Sequence, residues 1–394
     1  MDYLQQLLNN QPVEWKKLGE VCDVLRGKRL TKSQLSQENN GYAVYHGGIV
    51  PIGYYHSPNR NADSTMVINV GASAGTVGYS KEKFWSSDGC FCFSDSPILL
   101  QRFLFYYLQS IEHKIKSKVR VAGIPTLDAS VLSKLPLPIP SLSVQSRIVE
   151  ILDKFTAMEA ELEEQLQAEL ELRKKQYAYY REQLLNFSYT PPSEFNVVYR
   201  KLGEMAELVR GNGLSKKDFA PEGIPAIHYG QIYTYYGNET KETISFVTPE
   251  TASKLRKVFC GNVVITNTSE NLEDVGKALL YSGKSEAVTG GHATIIRCSE
   301  HLLPKFFVYY TKTRSFFDQK RKLAKGTKVI DVSATDLARI EIPIPPLSEQ
   351  QRIVEMLDKF DTLTNSISEG LPLEIKLRRQ QYEYYREQLL DFRR

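Results

Sequence analysis

Residues 136–187 and 341–392 carry nearly the same sequence, 205 positions apart, and 29 of the 52 aligned residues are identical. We call them the first and second repeats. Their strongest blocks read PIPSLSVQSRIVEILDKF and PIPPLSEQQRIVEMLDKF near the start, and QYAYYREQLLNF and QYEYYREQLLDF at the end. A weaker pair, Lys-Leu-Gly-Glu followed by Arg-Gly, opens the first and second variable segments, 14–135 and 197–340. This repetition predicts a chain built from two related halves.

Each repeat predicts a long helix after an extended entry, because proline is excluded from helix interiors. Ser143 and Ser348 are the predicted N-caps, and Ser-Glu-Gln-Gln from Ser348 fits a capping box. Gly370 and Pro372 predict a kink or break in the second helix. Apolar residues at three-, four- and seven-residue steps are typical of a coiled-coil seam. They are Ile148, Leu152, Phe155, Leu162, Leu166, Ile353, Leu357, Phe360, Ile367 and Leu371.

Helices of this length need a partner, and each repeat is the natural partner of the other. Tyrosines cluster near the predicted helix ends, and two roles stay open for them. They could form the core of the helix pair or a platform for another subunit. The cluster comprises Tyr177, Tyr179, Tyr180, Tyr382, Tyr384 and Tyr385.

Each variable segment predicts a mixed α+β domain. Strands are expected at the apolar runs 64–70, 89–93, 261–266 and 292–297, which Gly, Asn, Ser and Pro clusters separate. One helix is expected late in each segment, at 97–115 and at 302–321. The predicted domains are two globular domains, 1–140 and 189–345, a central helix, 141–188, and a C-terminal helix, 346–394, kinked near 370–372.

Net charge alternates along the chain. It is +5 over 14–135, −3 over 136–187, +5 over 188–340 and −2 over 341–394. Chance would explain one basic segment, but the alternation in both halves favours contact of the variable segments with a polyanion.

Two stretches, 45–60 and 227–238, combine aromatic with polar and basic side chains, and we interpret them as DNA-reading loops. Such side chains contact base edges and phosphates, although core tyrosines and solvated lysines give the same composition. The candidates in the first half are Lys28, Arg29, Tyr45, His46, Tyr54, Tyr55, Arg60, Lys118 and Arg120. Those in the second half are His228, Tyr229, Gln231, Tyr233, Tyr235, Tyr236, Asn267, Lys325 and Lys328.

Catalytic patterns are missing from the sequence. GASAGTVG at 71–78 lacks the GK[ST] of a P-loop and predicts a tight turn between strands. HExxH and the amino-methylation motifs do not occur, so neither a catalytic nor a metal site is predicted. Five scattered cysteines suit packing in a reducing cytoplasm, and no apolar run is long enough to span a membrane.

The doubled proline–Leu–x–x–Gln–x–x–Ile–Val entry, the QYEYYREQLLDF block and the RKLGE…VRG opening closely resemble the specificity (S) subunits of type I restriction–modification systems. The resemblance covers essentially the whole chain. It implies an α+β fold with two globular target-recognition domains separated by two long antiparallel coiled-coil helices, related by a pseudo-twofold half-repeat.

The same resemblance implies the function. Each domain would read one half of a bipartite, asymmetric site in double-stranded DNA. The helices would set the unread spacer and dock methyltransferase subunits, expected to be two, and restriction subunits would join later. Those partners would use S-adenosylmethionine, ATP and Mg²⁺, so this chain would bind no cofactor. The alternatives are a protein-binding coiled-coil scaffold and a remote nuclease or methyltransferase.

Overall fold

The computed structural model describes residues 3–9, 11–38, 40–187, 197–365 and 369–392. Contacts divide the chain into unit 1, Met1–Gln165 with Ile375–Arg394, and unit 2, Leu166–Glu374. Each unit therefore combines one variable segment with parts of both repeats. The expected boundary at 188–189 and the seam residue Ile367 lie outside the described residues. None of the described helices is long and apolar enough to cross a membrane.

Unit 1 contains two small sheets and a ribbon. The four-stranded antiparallel sheet has the order Val24–Arg26, Cys90–Phe93, Ser64–Ile68, Val77–Ser80. The second sheet has the order Gly53–Tyr55, Tyr42–Tyr45, Trp85–Ser86. Glu14–Lys17 pairs with Pro136–Ile139 at the entry to the first repeat. The strands expected within 64–70 and 89–93 are confirmed, and GASAGTVG lies in the connection between two neighbouring antiparallel strands, as expected.

The helices of unit 1 that precede the first repeat are short. They are Tyr3–Leu8, Leu18–Val21, Gln101–Ser110, Glu112–Lys116 and Ala129–Ser133. The expectation of one helix over 97–115 was wrong, because two helices meet at Ile111, whose φ of −107° and ψ of 15° are not helical.

Unit 2 contains two five-stranded sheets. The first has the order Ala206–Arg210, Ala293–Cys298, Val263–Thr266, Ala278–Tyr281, Glu239–Thr240. The second has the order Phe219–Ala220, Ser245–Val247, Ile224–Ile227, Ala287–Thr289, Arg256–Val258. Two ribbons complete it, Val198–Lys201 with Glu341–Ile344 and Thr268–Ser269 with Ile330–Asp331. The strands expected within 261–266 and 292–297 are confirmed.

The helices of the second variable segment are also short. They are Leu202–Met205, Tyr229–Thr234, Pro249–Ser253, Pro304–Tyr310, Arg314–Leu323 and Ala334–Leu337. The single helix expected over 302–321 was wrong, because Thr313 starts a second helix by accepting a hydrogen bond from the Phe316 N–H. Single 3₁₀ turns occur at Lys32–Gln34 and Lys216–Asp218.

The repeats form the long helices, which we call the strut helices. The first is Leu142–Leu185, and the second repeat forms two helices, Leu347–Asn365 and Gly370–Leu390, with Gly370 at a φ of +75°. The predicted N-caps were wrong. Ser143 and Ser348 lie inside the first helical turn, because each helix begins one residue earlier.

The strut helices pair within each unit. In unit 1 the ring of Phe155 lies 6.3 Å from that of Tyr385, and Glu163 bonds Arg379. Because the residue number increases along one helix, from Phe155 to Glu163, while that of its partner decreases, from Tyr385 to Arg379, the two helices are antiparallel. In unit 2 the ring of Phe360 lies 5.5 Å from that of Tyr180.

The two ring pairs are the same pair with the repeats exchanged, since Phe360 aligns with Phe155 and Tyr385 with Tyr180. This exchange gives the expected pseudo-twofold half-repeat. Of the other seam residues, Ile148 and Leu152 are fully buried in the core of unit 1, and Ile353 and Leu357 in that of unit 2. Leu162 and Leu166 are half-buried, and Tyr177 stacks on Phe360 while the Tyr382 hydroxyl lies 2.8 Å from Thr156 Oγ1.

Candidate DNA interface

A cleft of about 490 Å³ in unit 1 collects basic side chains from distant parts of the sequence. Arg29, His46 and Arg120 line it, so the fold brings three predicted residues together. His46 Nδ1 lies 3.3 Å from Asp88 Oδ1. Arg26 also lines the cleft, and sequence reasoning missed it although it belongs to the repeated Arg-Gly pair.

The repeated Arg-Gly pair has a steric origin. A Cβ added to Gly27 would lie 2.0 Å from the carbonyl oxygen of Ser87, and one added to Gly211 would lie 2.2 Å from that of Gly290. Only glycine allows this close approach of two backbones. Each glycine directly follows an edge strand, so the preceding arginine, Arg26 or Arg210, occupies the same place in both units.

Each unit presents a matched hairpin near that arginine. In the first hairpin, Arg120–Thr126, reciprocal backbone hydrogen bonds join the two end residues at 2.9 and 3.0 Å. In the second hairpin, Lys325–Asp331, the corresponding distances are 2.9 and 2.8 Å. Both ends are 205 positions apart, as in the repeats. Arg210 donates to the Asp331 carboxylate at 3.2 Å, which ties the Arg-Gly pair to the second hairpin.

Asn267 is buried beneath the surface and bonds Val332, next to the second hairpin. Its prediction as a DNA-binding residue was therefore wrong. It is 0% exposed, donates to the Val332 carbonyl at 2.6 Å and accepts from the Thr294 hydroxyl at 2.8 Å. Its own carbonyl accepts from the Val332 N–H at 2.9 Å. In unit 1 the carbonyl of Asn69 accepts from the Leu127 N–H, also at 2.9 Å. A fully buried amide with these partners cannot reach a base.

The stretch 227–238 was predicted to be a loop, and this prediction was wrong because Tyr229–Thr234 is helical. His228 caps this helix, with Nδ1 accepting from the Gly230 N–H at 3.2 Å, and is only 7% exposed. Burial, with Lys216 and His292 nearby, lowers the pKa of His228 and favours the neutral ring that a cap requires. Gln231 donates to Ser245 Oγ at 2.6 Å. Both side chains hold the helix in place.

The tyrosines of this helix differ in exposure. The ring of Tyr229 packs at a tilt against those of His228 and His292, with centroid distances of 4.5 and 4.8 Å, and Tyr233 is half-buried. The Tyr236 hydroxyl accepts from the Ile244 N–H, whereas Tyr235 is 65% exposed. The exposed His292, which sequence reasoning did not select, bonds Thr268 beside the second hairpin.

Aromatic residues of the stretch 45–60 pack mainly inside unit 1. Tyr45 meets Phe84 edge-on at 5.4 Å, and burial raises the pKa of its hydroxyl. Tyr55 meets Trp85 at 4.9 Å, and Tyr54 is half-buried in the neighbouring strand pair. The Arg60 guanidinium donates to two backbone carbonyls, those of Asn59 and Arg26. These contacts stabilise the cleft wall.

Several predicted cations remain exposed. Lys28, Arg29, Lys118, Arg120 and Lys328 have no ion pair among the residues that the structure describes. Lys325, by contrast, lies 2.9 Å from Asp336. Over the same described ranges, no cluster of metal-ligating side chains occurs.

A buried glutamine fixes each domain to its strut helix. Gln145 accepts from the Leu100 N–H at 2.9 Å and donates to the carbonyls of Ile98 and Pro140 at 2.8 and 2.9 Å. Gln350 makes the three equivalent bonds in unit 2, and both side chains are 0% exposed. This role explains the proline–Leu–x–x–Gln motif. The predicted capping box was wrong, because Ser348 lies inside the first helical turn and Gln351 donates to Glu355 at 3.0 Å.

A second duplicated contact lies eight residues further along each strut helix, at Asp153 and Asp358. In unit 1, Asp153 accepts from the Tyr106 hydroxyl at 2.6 Å and pairs with Arg102 at 2.7 Å. In unit 2, Asp358 accepts from Tyr309 and pairs with Lys305 at 3.0 Å. Burial, then the carboxylate, raises the pKa of both tyrosines, which therefore stay protonated as donors. These contacts fix helix Gln101–Ser110 of unit 1 and helix Pro304–Tyr310 of unit 2 to their strut helices.

Comparisons with known proteins match this architecture. The model of the type I restriction modification DNA specificity domain matches residues 10–172 and 194–377. A putative type I restriction enzyme specificity subunit from Haemophilus influenzae is 32% identical over 99% of this chain and 98% of its own length. The EcoR124I/EcoR124II specificity subunit from Escherichia coli is 32% identical over 100% and 97%.

Solved structures agree at the level of the fold. A chain from a study of complex assembly and conformational transition of the type I R-M system has a TM-score of 0.67 at 17% identity, covering 96% of this chain and 98% of its own. The HsdS subunit from Thermoanaerobacter tengcongensis has a TM-score of 0.57 at 18% identity, covering 97% and 96%. With two matched domains on duplicated helices, this chain belongs to the family of type I restriction–modification DNA specificity subunits.

Proposed function

We propose that each unit reads one half of a bipartite, asymmetric site in double-stranded DNA. The observation that carries this proposal is that one framework holds unlike surfaces. Arg-Gly pair, asparagine anchor and hairpin recur in both units, yet the hairpin tips read VAGI at 121–124 and GTKV at 326–329. A shared framework with different tips suits the reading of two different half-sites. The net charge of +5 over 14–135 and over 188–340 suits a polyanion.

The strut helices would set the unread spacer and bind two methyltransferase subunits. In support, an apolar groove of about 480 Å³ opens on the helix pair of unit 1, lined by Ile151, Phe155, Met158, Tyr385 and Leu389 among others. Met158 is 65% exposed there. The chain would contribute no catalytic residue and bind no cofactor. The methyltransferase and restriction subunits would supply S-adenosylmethionine, ATP and Mg²⁺ chemistry.

The decisive experiment exchanges one variable segment. The chain is co-expressed with its methyltransferase partner, and methylated bases are mapped on genomic DNA. Replacing 14–135 by the corresponding segment of a relative should change one half of the methylated motif, and replacing 197–340 should change only the other half. Change in both halves, or a continuous palindromic motif, would refute the proposal.

A protein-binding scaffold without DNA specificity is the competing function. It predicts no sequence preference in a gel shift with the methyltransferase partner present. A specificity subunit should bind its own site preferentially, and the logarithm of the association constant should fall steeply as the logarithm of the salt concentration rises. Removing four residues within 156–170 of the first strut helix should alter the spacer or abolish binding without changing either half-site.

Docking on the strut helix can be tested separately. Met158→Asp places a charge in the apolar groove and should reduce co-purification of the methyltransferase subunit by about tenfold or more, because an unpaired buried charge is costly. Phe259→Asp, at a 45% exposed position of unit 2, is the control and should co-purify normally. Equal recovery with both variants would place the docking surface elsewhere.

A further inference from the structure

The tips of the two hairpins expose apolar side chains that the fold does not cover. Val121 is 79% exposed and Ile124 is 71% exposed in the first hairpin, and Val329 is 58% exposed in the second. All four residues of each tip are exposed. Ile124 and Val329 are 205 positions apart, so the two units place a β-branched apolar side chain at the same point of the hairpin.

The hairpin bases hold these tips rigidly. Besides the reciprocal bonds at its ends, the first hairpin is bonded to the strand end at Asn69–Gly71, where the Gly71 N–H donates to the Pro125 carbonyl at 2.9 Å. The second turns at Gly326, with a φ of +101°, where an added Cβ would lie 2.0 Å from the Val329 carbonyl oxygen. Exposed side chains on a fixed base are preorganised for binding.

Cations lie close to each apolar tip in the sequence. The helix before the first hairpin carries His113, Lys114 and Lys116 in its last turn, and Lys118 follows. The helix before the second carries Lys320, Arg321 and Lys322, and Lys328 lies on the tip itself. Lys320 is buried and Lys116 pairs with Glu112 at 2.6 Å. Lys114, Lys118, Lys322 and Lys328 have no ion pair within the described ranges.

A duplex has matching chemistry. Its phosphates attract cations, and thymine methyl groups in the major groove offer an apolar contact. Apolar side chains with cations would also suit an anionic membrane. The duplex is favoured because the tips differ between the units while their supports do not, and a uniform lipid surface gives no reason for that difference.

We infer that the hairpin tips are specificity determinants, with Val121 and Ile124 contacting base edges in one half-site and Val329 in the other. Lys118 and Lys328 contact the flanking phosphates and position each tip. This inference rests on the proposed function and assigns it to named side chains. Lys325 and Asn267 are support residues of the second hairpin.

The test uses the full chain in complex with its methyltransferase partner. The probes are a duplex carrying the methylation motif of the wild-type complex and duplexes with single changes in either half. Ile124→Ala and Val329→Ala are compared with Ile98→Ala and Val198→Ala, which make the same substitutions at exposed positions outside the hairpins. Thermal unfolding is measured for all four, and unchanged midpoints are expected at these exposed sites.

We expect Ile124→Ala to reduce discrimination against changes in one half-site about tenfold and Val329→Ala to do so in the other, with the salt dependence unchanged. Lys118→Ala and Lys328→Ala should instead weaken all duplexes alike and lower the salt slope by about one each. The control variants should match the wild type.

The outcomes separate this inference from the proposed function. A wild-type complex without preference for its motif would overturn both. Wild-type preference retained in full by both tip variants would overturn the inference alone and leave the modular reading of DNA standing. Tip variants that bind the duplexes normally but lose affinity for phosphatidylserine vesicles would assign the tips to a membrane and would also overturn the inference.

Discussion

The buried glutamine of unit 1 allows a quantitative prediction for Gln145→Met. Methionine has a similar length and no hydrogen-bonding amide, so the change removes three hydrogen bonds at nearly constant volume. One of the three, to the Pro140 carbonyl, is fully buried, and the other two are partly buried. At about 1–3 kcal/mol for the buried carbonyl and about 1 kcal/mol for each of the others, unit 1 should lose about 3–5 kcal/mol.

Unit 1 has its own optical probe for this measurement, since both tryptophans of the chain, Trp15 and Trp85, belong to it. Urea unfolding followed by tryptophan fluorescence should show the midpoint lowered by about 1 M or more, for a slope near 3 kcal/mol/M. The control is Gln165→Met, the same substitution at an exposed helical site, with a change within about 0.5 kcal/mol. A loss below 1 kcal/mol for Gln145→Met would refute the bracing role.

Two further predictions concern backbone approach and pH. Gly27→Ala should destabilise unit 1 by about 2 kcal/mol or more, since its Cβ would meet the Ser87 carbonyl, whereas Gly48→Ala, with no atom within 4 Å, should be nearly neutral in the same urea assay. The lowered pKa of His228 means that the unfolded chain binds a proton more readily than the native one. The neutral His228 ring therefore contributes to the free energy of unfolding above pH about 6.5, and this contribution is lost as the pH falls. His228→Asn keeps a capping side chain and should flatten this dependence in thermal unfolding from pH 7 to 5, unlike the exposed His56→Asn; an unchanged profile would contradict it.

Sequence reasoning identified the elements whose cause is local. Contiguous apolar runs such as 64–70 predict buried strands, and the Arg-Gly repeat identifies a position that both units use. The single long helices predicted over 97–115 and 302–321 failed where the chain leaves the helical conformation, at Ile111 in unit 1 and at 311–313 in unit 2. Periodicity does not reveal such a break, because the apolar face continues across it.

The site was predicted in part. Arg29, His46 and Arg120 converge on one cleft, but Asn267 has the composition of a base reader and the environment of a core residue, and composition does not report burial. The contacts of Asp153 and Asp358 were missed because these aspartates are 205 positions apart whereas their tyrosine partners, Tyr106 and Tyr309, are 203 apart. An alignment at the offset of the repeats therefore does not match the two tyrosines. Cations of both hairpins, Arg120, Lys325 and Lys328, were predicted, but the match between the hairpins was missed because Gly123 and Gly326 occupy different places in the two turns.

The composition of unit 1 constrains the order in which the chain can fold. Its core includes Leu389, Leu390 and Phe392, and the ring of Phe392 lies 6.0 Å from that of Phe103, 289 residues earlier. Unit 2 draws on 166–374 alone. During synthesis the second half can therefore complete its core first, while the first half waits with an open apolar surface until the last residues of the second repeat have left the ribosome. Contacts of such long sequence separation form slowly, so the first unit to be synthesised is the last to close.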